Sequence, residues 1–127
     1  MSGTLDLLKA KGYDIDAGLS YLGDESMYIE ILRDFHNGFI NQMNEIKAAY
    51  EKHDIPDYVI KVHALKSNCR TLGITALSEL AYNHEMKGKE NDINYINANI
   101  TSLFNKANEI YLINDAFLKQ IGGNNGN

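Results

Sequence analysis

The sequence predicts an all-α fold from three observations. The 127-residue chain has one Pro, no Trp and 10 Gly, too few chain breakers for the many turns of an all-β protein. Apolar residues make up 44% and charged residues 23%, which is typical of a folded globular chain. Apolar side chains recur at steps of three and four along several segments. Short connections between them predict an antiparallel up-down-up-down four-helix bundle with short extra N-terminal helices.

The first half of the chain predicts three helices. Thr4 caps a short helix over residues 5–11, and Asp16 caps a second one that ends at Leu22. Asp24 caps a long helix of about 28 residues, or about 42 Å at 1.5 Å per residue. Its apolar stripe comprises Tyr28, Leu32, Phe35, Phe39, Met43, Ile46 and Tyr50.

Two further helices are predicted in the middle of the chain. Asp54 and Pro56 mark the start of the first, since Pro is tolerated in the opening turn of a helix. Gly73 ends this helix. Thr75 caps the next, which runs to about Lys87. The apolar stripe of the first comprises Ile55, Tyr58, Val62, Leu65, Cys69 and Leu72.

The last helix follows a turn over residues 88–91 and is capped by Asp92. Asn114 interrupts its apolar stripe, either as a buried residue that sets register or as an exposed one. We expect residues 1–121 to form one domain and residues 122–127 to be a disordered tail. The domain is expected to be a monomer, although the apolar alternation leaves dimerisation through a long helix open.

The composition excludes several classes of function. With 12 Lys and Arg against 17 Asp and Glu, the net charge is −5, which disfavours nucleic-acid binding. No apolar run reaches about 18 residues, so no membrane span is expected. The first residues are not basic, so no signal peptide is expected either. The single Cys, Cys69, fits a reducing, cytoplasmic location, and its stripe position predicts a buried, unreactive thiol.

The helix over residues 55–72 carries a histidine outside its apolar stripe. At about 100° per residue, His63 lies about 130° from the stripe centre and points to solvent. Lys66 and Ser67 flank the imidazole at three and four residues. A neutral imidazole is a nucleophile, a nearby ammonium offers donors to a phosphoryl group, and the small Ser67 allows a partner close approach. An isolated exposed histidine can equally be a solvated side chain.

Three other residues of this helix extend the candidate surface. Val59 and Ile60 precede His63 by one turn, and Ile60 falls almost opposite the core stripe. An exposed apolar side chain beside an exposed histidine gives a docking protein something to bury. Arg70 lies one further turn along.

These residues resemble a known family. The segment His63-Ala-Leu-Lys66-Ser67, followed by Gly73, is similar to the His-x-Leu-Lys-Gly motif of histidine-containing phosphotransfer (HPt) domains. The segments 19–39 and 77–92 are similar to the first bundle helix and to the third helix with its following loop. The resemblance covers about residues 15–115.

The resemblance implies a role for each matching residue. His63 would accept a phosphoryl group from a receiver-domain aspartate and pass it to another receiver, while Lys66 holds the phosphoryl oxygens. Ser67 stands where the family most often has Gly, and its small side chain would still leave room for the receiver. Gly73 would end the helix. A second departure is His84, at a position where an apolar residue is common.

The implied partners are response-regulator receiver domains, with a hybrid sensor histidine kinase as a further candidate. A receiver brings its own aspartate, metal and lysine, so no metal or other cofactor is expected in this chain. No Gly-rich phosphate loop is present, so no ATP site is expected. The resemblance implies a stoichiometric phosphohistidine carrier, not an enzyme. Two alternatives stay open: a receiver-binding adaptor without phosphotransfer, and the histidine-bearing substrate domain of a chemotaxis-type kinase.

The remaining histidines predict no metal centre. His36, His53 and His84 are not spaced at three or four residues from one another, so no helical zinc pair exists. His84 is expected to be a partly buried residue bonded to the backbone or to a tyrosine. Glu85 is expected on the solvated surface.

Overall fold

A computed structural model of the chain describes residues 3–122, and these residues form helices and turns with no strand. The all-α prediction is confirmed. Residues 123–127 of the predicted tail lie outside the described residues, whereas Gly122 is the last residue of a helix. The six helices are α1 (Asp6–Ala10), α2 (Ile15–Leu22), α3 (Glu25–Glu51), α4 (Ile55–Leu72), α5 (Thr75–Lys89) and α6 (Ile93–Gly122). None of them combines the length and apolarity needed to cross a membrane.

Aspartate caps begin the three longest helices, as the sequence predicted. Asp24, Asp54 and Asp92 each accept a hydrogen bond from the backbone N–H three residues later, at 2.8, 3.1 and 3.1 Å. Such a bond satisfies one of the free N–H groups of the first turn. Pro56 lies in the first turn of α4, where no hydrogen bond from its nitrogen is needed.

The predicted caps of the other helices were wrong. α2 is capped by Asp14, whose side chain accepts a backbone N–H at 3.0 Å, and Asp16 is already helical. Asp14 is selected because its own N–H bonds the Gly73 carbonyl at 2.8 Å, which anchors it. At α1 and α5 the cap residues are apolar and their side chains make no capping bond. The predicted cap Thr4 lies one residue before the observed cap of α1, and the predicted cap Thr75 lies one residue after the observed cap of α5.

Gly73 ends α4 in a left-handed conformation, with φ +74°. The N–H groups of Gly73 and Ile74 bond the Arg70 and Cys69 carbonyls at 3.1 and 2.9 Å, which closes the last turn. A Cβ at position 73 would overlap the carbonyl oxygen of Asp14. Backbone conformation and space therefore both require glycine here.

α5 is longer than predicted. It continues past Lys87 to Lys89, so the turn that was predicted at residues 88–91 starts two residues later than predicted. Gly88 is a buried helical residue that faces α4 and does not form a turn. The sequence suggested a turn because glycine is a weak helix former. Tertiary packing overrides that preference here.

The long helices enclose the core. α3 packs against α4 and α6, and α5 packs against the same two helices. α2 lies against α3 and α4, while α1 lies against α6. The most extensive of these helix pairs is α4 with α5, the pair that carries the candidate site. The largest fully buried side chains are Tyr28, Tyr58, Phe117, Leu8, Leu32, Ile46, Leu65, Leu72, Ile74, Leu77, Ile96 and Leu103.

Tyr28 and Asn114 are polar residues of the core that have hydrogen-bond partners. The Tyr28 hydroxyl donates to the Leu72 carbonyl at 2.6 Å. Asn114 is buried and accepts the Tyr13 hydroxyl at 2.5 Å, so the first of its two predicted placements is the one observed. Cys69 is fully buried, and burial raises the pKa of its thiol, in agreement with an unreactive cysteine.

Candidate functional site

His63 lies near the middle of α4 with its side chain 53% exposed. This agrees with its predicted place on the helix. Its Nδ1 lies 2.7 Å from Oε2 of Glu85, which reaches across from α5. A carboxylate can only accept a hydrogen bond, so in the neutral imidazole Nδ1 carries the proton and Nε2 keeps its lone pair. Within residues 3–122, no hydrogen bond occupies Nε2.

Glu85 is the centre of the site and was wrongly expected on the solvated surface. Its side chain is only 3% exposed. Lys66 places its Nζ 2.8 Å from Oε1, and Lys89 places its Nζ 3.3 Å from Oε2. One buried carboxylate therefore contacts two ammonium groups and one imidazole.

The charge of Glu85 is stable at neutral pH. Burial raises the pKa of this carboxyl, but Lys66, His63 and Lys89 lower it by more, to about 2. With the imidazole neutral, one negative charge and two positive charges leave the cluster with a net charge of +1. An anion that approaches His63 is therefore attracted to this point of an acidic protein.

The two lysines differ in what they can reach. The Lys66 side chain is 12% exposed, and its Nζ also lies 5.7 Å from the centre of the Tyr82 ring, a cation–π distance. Lys89 is 56% exposed and lies on the solvent side of the cluster. The mostly buried Lys66 thus stays bound to the Glu85 carboxylate, whereas the exposed side chain of Lys89 has room to turn toward a group on His63.

The other predicted surface residues surround His63 unequally. Ile60, Ser67 and Arg70 are exposed, and none of them bonds the imidazole. Val59 is half-buried because its Cγ2 faces Gly88 of α5. Val59 is therefore in part a packing residue between α4 and α5.

One predicted residue lies apart from His63, and one exposed residue was not among the predicted site residues. Gly73 ends α4 ten residues from His63, where its role is structural. Tyr82 on α5 is exposed beside Lys66.

The sequence does contain a signal for Glu85. Ala81, Glu85 and Gly88 follow one another at four and three residues, the spacing of a helix face. Ala81 and Gly88 are both buried. A charged residue on a buried face needs a partner on a neighbouring helix. Its partners Lys66 and His63 lie 19 and 22 residues earlier, beyond any local pattern.

The other histidines have structural surroundings. His84 is buried, and its Nδ1 lies 2.8 Å from the Tyr58 hydroxyl, as expected of a histidine bonded to a tyrosine. His36 bonds Asp115 at 3.1 Å, and His53 lies in the loop between α3 and α4. No group of three or more potential metal ligands occurs within residues 3–122.

Comparison with known proteins gives no family assignment. A scan against protein-family models, a search of curated proteins and a search of solved structures each found no match.

Proposed function

We propose that this chain is a histidine phosphotransfer domain. His63 accepts a phosphoryl group from the aspartyl phosphate of a response-regulator receiver domain and passes it to a second receiver, in the cytoplasm. The observation that carries the proposal is the bond from Nδ1 to the buried Glu85, which directs Nε2 to solvent with its lone pair free. The resemblance of residues 63–73 to the HPt motif supports the same function.

The proposed fold is an antiparallel four-helix bundle of α3, α4, α5 and α6. Connections over residues 52–54, 73–74 and 90–92 are too short for parallel neighbours. The packing of α3 and α5 against both α4 and α6 also supports this arrangement. In such a bundle His63 stands at mid-height on one face, accessible to a partner domain.

The transfer needs no proton to leave the imidazole. The Nε2 lone pair attacks phosphorus, and the P–O bond to the aspartate breaks. The electron pair of that bond departs with the aspartate carboxylate. The ring becomes a positively charged N-phosphoryl imidazolium that keeps its Nδ1–H on Glu85, whose negative charge stabilises it. Attack by a second receiver aspartate on the same phosphorus returns His63 to its initial state.

The two lysines take separate roles in this proposal. Lys66 keeps Glu85 ionised and fixed, so its help to the phosphoryl group is indirect. Lys89 shares Oε2 with the imidazole and can turn from it toward a phosphoryl group on Nε2. Lys89→Ala should therefore shorten the lifetime of the phosphohistidine more than Lys87→Ala, a control on the same helix whose Nζ lies near Glu90 and Asp92.

The docking surface in this proposal is the exposed rim around His63. Ile60 and Tyr82 offer apolar area on either side of it, and Ser67 is small enough for close approach. Arg70 adds a positive charge one turn away, while Val59 contributes only its exposed part. These groups suit the acidic, metal-binding face of a receiver domain.

Phosphate transfer from a panel of receivers tests the proposal. Receiver domains from the source organism are charged with a small phosphodonor and mixed with the chain. The expected product is an acid-labile, base-stable label that is lost in His63→Gln and kept in His53→Gln, which removes an imidazole in the loop. Labelling of His63→Gln at the wild-type level, or no labelling from any receiver, would contradict it. Labelling only by an ATP-loaded kinase domain would favour a chemotaxis-type substrate domain.

A further inference from the structure

α5 comes very close to α4 one turn after Glu85. Gly88 is buried there, and a Cβ at this position would lie 2.5 Å from Cγ2 of Val59. Ordinary contacts of a Cβ lie at 3.4–4 Å, so a methyl group needs about 1 Å more room. Val59 cannot easily provide it, because a β-branched side chain in a helix strongly prefers one rotamer.

A second contact holds the same two helices together. The Tyr58 hydroxyl and Nδ1 of His84 lie 2.8 Å apart, and both residues are buried. Tyr58 is the neighbour of Val59, and His84 is the neighbour of Glu85. The His84 ring also meets the edge of Tyr95 on α6, with 5.6 Å between ring centres. α5 is therefore fixed against both neighbours at the height of the site.

The contacts of Glu85 depend on this separation. Its oxygens lie 2.7 Å from His63 Nδ1 and 2.8 Å from Lys66 Nζ, and both partners belong to α4. Hydrogen bonds weaken rapidly beyond about 3.2 Å. A displacement of α5 by about 1 Å at Gly88 would carry Glu85, one turn away on the same helix, out of range.

We propose that Gly88 is a positioning residue for His63: its missing side chain lets α5 approach α4 closely enough for Glu85 to hold the Nδ1–H and direct Nε2 outward. The Tyr58–His84 bond maintains this approach. The effect on phosphoryl acceptance rests on the proposed function, whereas the effect on the His63–Glu85 bond does not.

The ring nitrogens of His63 provide a direct measurement. Nitrogen-15 NMR at about pH 8.5, where an unperturbed imidazole is neutral, reports which nitrogen carries the proton. In the wild type we expect His63 to be protonated at Nδ1. In Gly88→Ala we expect His63 to change to the averaged pattern of His53, a loop histidine that serves as a reference in the same spectrum.

Two further variants separate position from packing. Gly38→Ala adds the same methyl group to α3 in open space, so it should leave His63 protonated at Nδ1. Val59→Ala combined with Gly88→Ala removes the obstructing methyl groups and should restore the Nδ1–H pattern. If Gly88→Ala does not fold, Tyr58→Phe replaces it, because this variant removes only the oxygen of the second contact and should likewise shift His63 toward the averaged pattern.

The rate of phosphorylation by phosphoramidate, a small donor that needs no receiver, should fall roughly tenfold in Gly88→Ala and recover in the double variant. A lower stability of Gly88→Ala with an unchanged His63 pattern would overturn the positioning role and leave Gly88 as a packing residue. A changed pattern without labelling from any receiver would uphold the positioning role and reject the proposed function.

Discussion

At the scale of single residues, Glu85 determines what the site can do. In an exposed histidine without a partner the proton exchanges between the two ring nitrogens, so the nucleophilic lone pair lies on Nε2 for only part of the time. The contact of 2.7 Å with a buried carboxylate fixes one of these forms. Because two lysines hold the same carboxylate, its charge survives burial, and the imidazole can become cationic in the proposed transfer without losing its partner.

Glu85→Gln should weaken this arrangement without removing it. The amide oxygen still accepts a hydrogen bond from Nδ1, but the negative charge is lost. Lys66 therefore no longer has a carboxylate to form an ion pair with. Phosphoryl acceptance should fall roughly tenfold, and the free energy of unfolding should decrease by roughly 1.5–3 kcal/mol, the value of a hydrogen bond to a charged group. Glu79→Gln, on the exposed side of α5, is the matched control in both assays. Equal effects of the two substitutions would exclude a special role for Glu85.

His84 should make the stability of the fold sensitive to mild acid. Burial lowers its pKa below the ordinary value of 6.5, although a hydrogen bond to the backbone of Asn99 opposes this. The unfolded chain therefore binds a proton first as the pH falls. The contribution of neutral His84 to the free energy of unfolding is fully present above pH 6.5. It is lost as the pH decreases from 6.5 through the lower pKa of the folded state.

Urea denaturation at about pH 7.5 and about pH 5 measures this effect. The decrease in unfolding free energy should be larger for the wild type than for His84→Gln, since the variant lacks the titrating group. Both pH values lie above the range from 4.5 to about 2 in which the stabilisation from ionised Glu85 is lost, so the two groups are separated. An identical decrease in the two proteins would show that His84 is not the sensitive group.

At the scale of elements, the corner between α4 and α5 is the most constrained segment. Gly73 adopts φ +74° and leaves no room for a Cβ beside the Asp14 carbonyl. Gly23 has a similar φ of +98°, but nothing lies within 4 Å of its absent Cβ. Both glycines have a positive φ, but an added Cβ would clash only at position 73.

Gly73→Ala should destabilise the fold more than Gly23→Ala. A positive φ disfavours alanine at both positions, by roughly 1–2 kcal/mol in the left-handed conformation of Gly73. The clash with Asp14 adds to this cost only at position 73. Chemical denaturation of both variants provides the comparison. Similar losses in unfolding free energy would mean that the segment around Asp14 yields to the methyl group.

At the scale of the whole molecule, Cys69 reports on global opening. It is fully buried between α4 and its neighbours, and burial raises the pKa of its thiol. We expect a thiol reagent to modify it only when the protein unfolds, so the labelling rate should rise with urea in parallel with the unfolded fraction. Rapid labelling in the absence of urea would reveal local opening of α4.

The whole molecule also shows which features could be predicted from the sequence and which could not. The stripes of α3, α4 and α6 depend on neighbours three and four residues apart, so helix type and the exposure of His63 could be predicted. The cap of α2 could not, because Asp14 and Asp16 are chemically equal and a bond to distant Gly73 decides between them. Glu85 and Gly88 were misassigned for a similar reason: both acquire their roles from α4.

The contact of α1 with α6 has a consequence for synthesis on the ribosome. α1 is the first helix to emerge, yet it packs against the last, and Tyr13 bonds Asn114 across 101 positions. At 5–20 residues per second, this N-terminal segment waits for about 5–20 s before its partner exists. During that interval the apolar side chains of Leu5 and Leu8 are without the surface that buries them in the finished fold. The helix α1 can thus reach its final place only after α6 has been made.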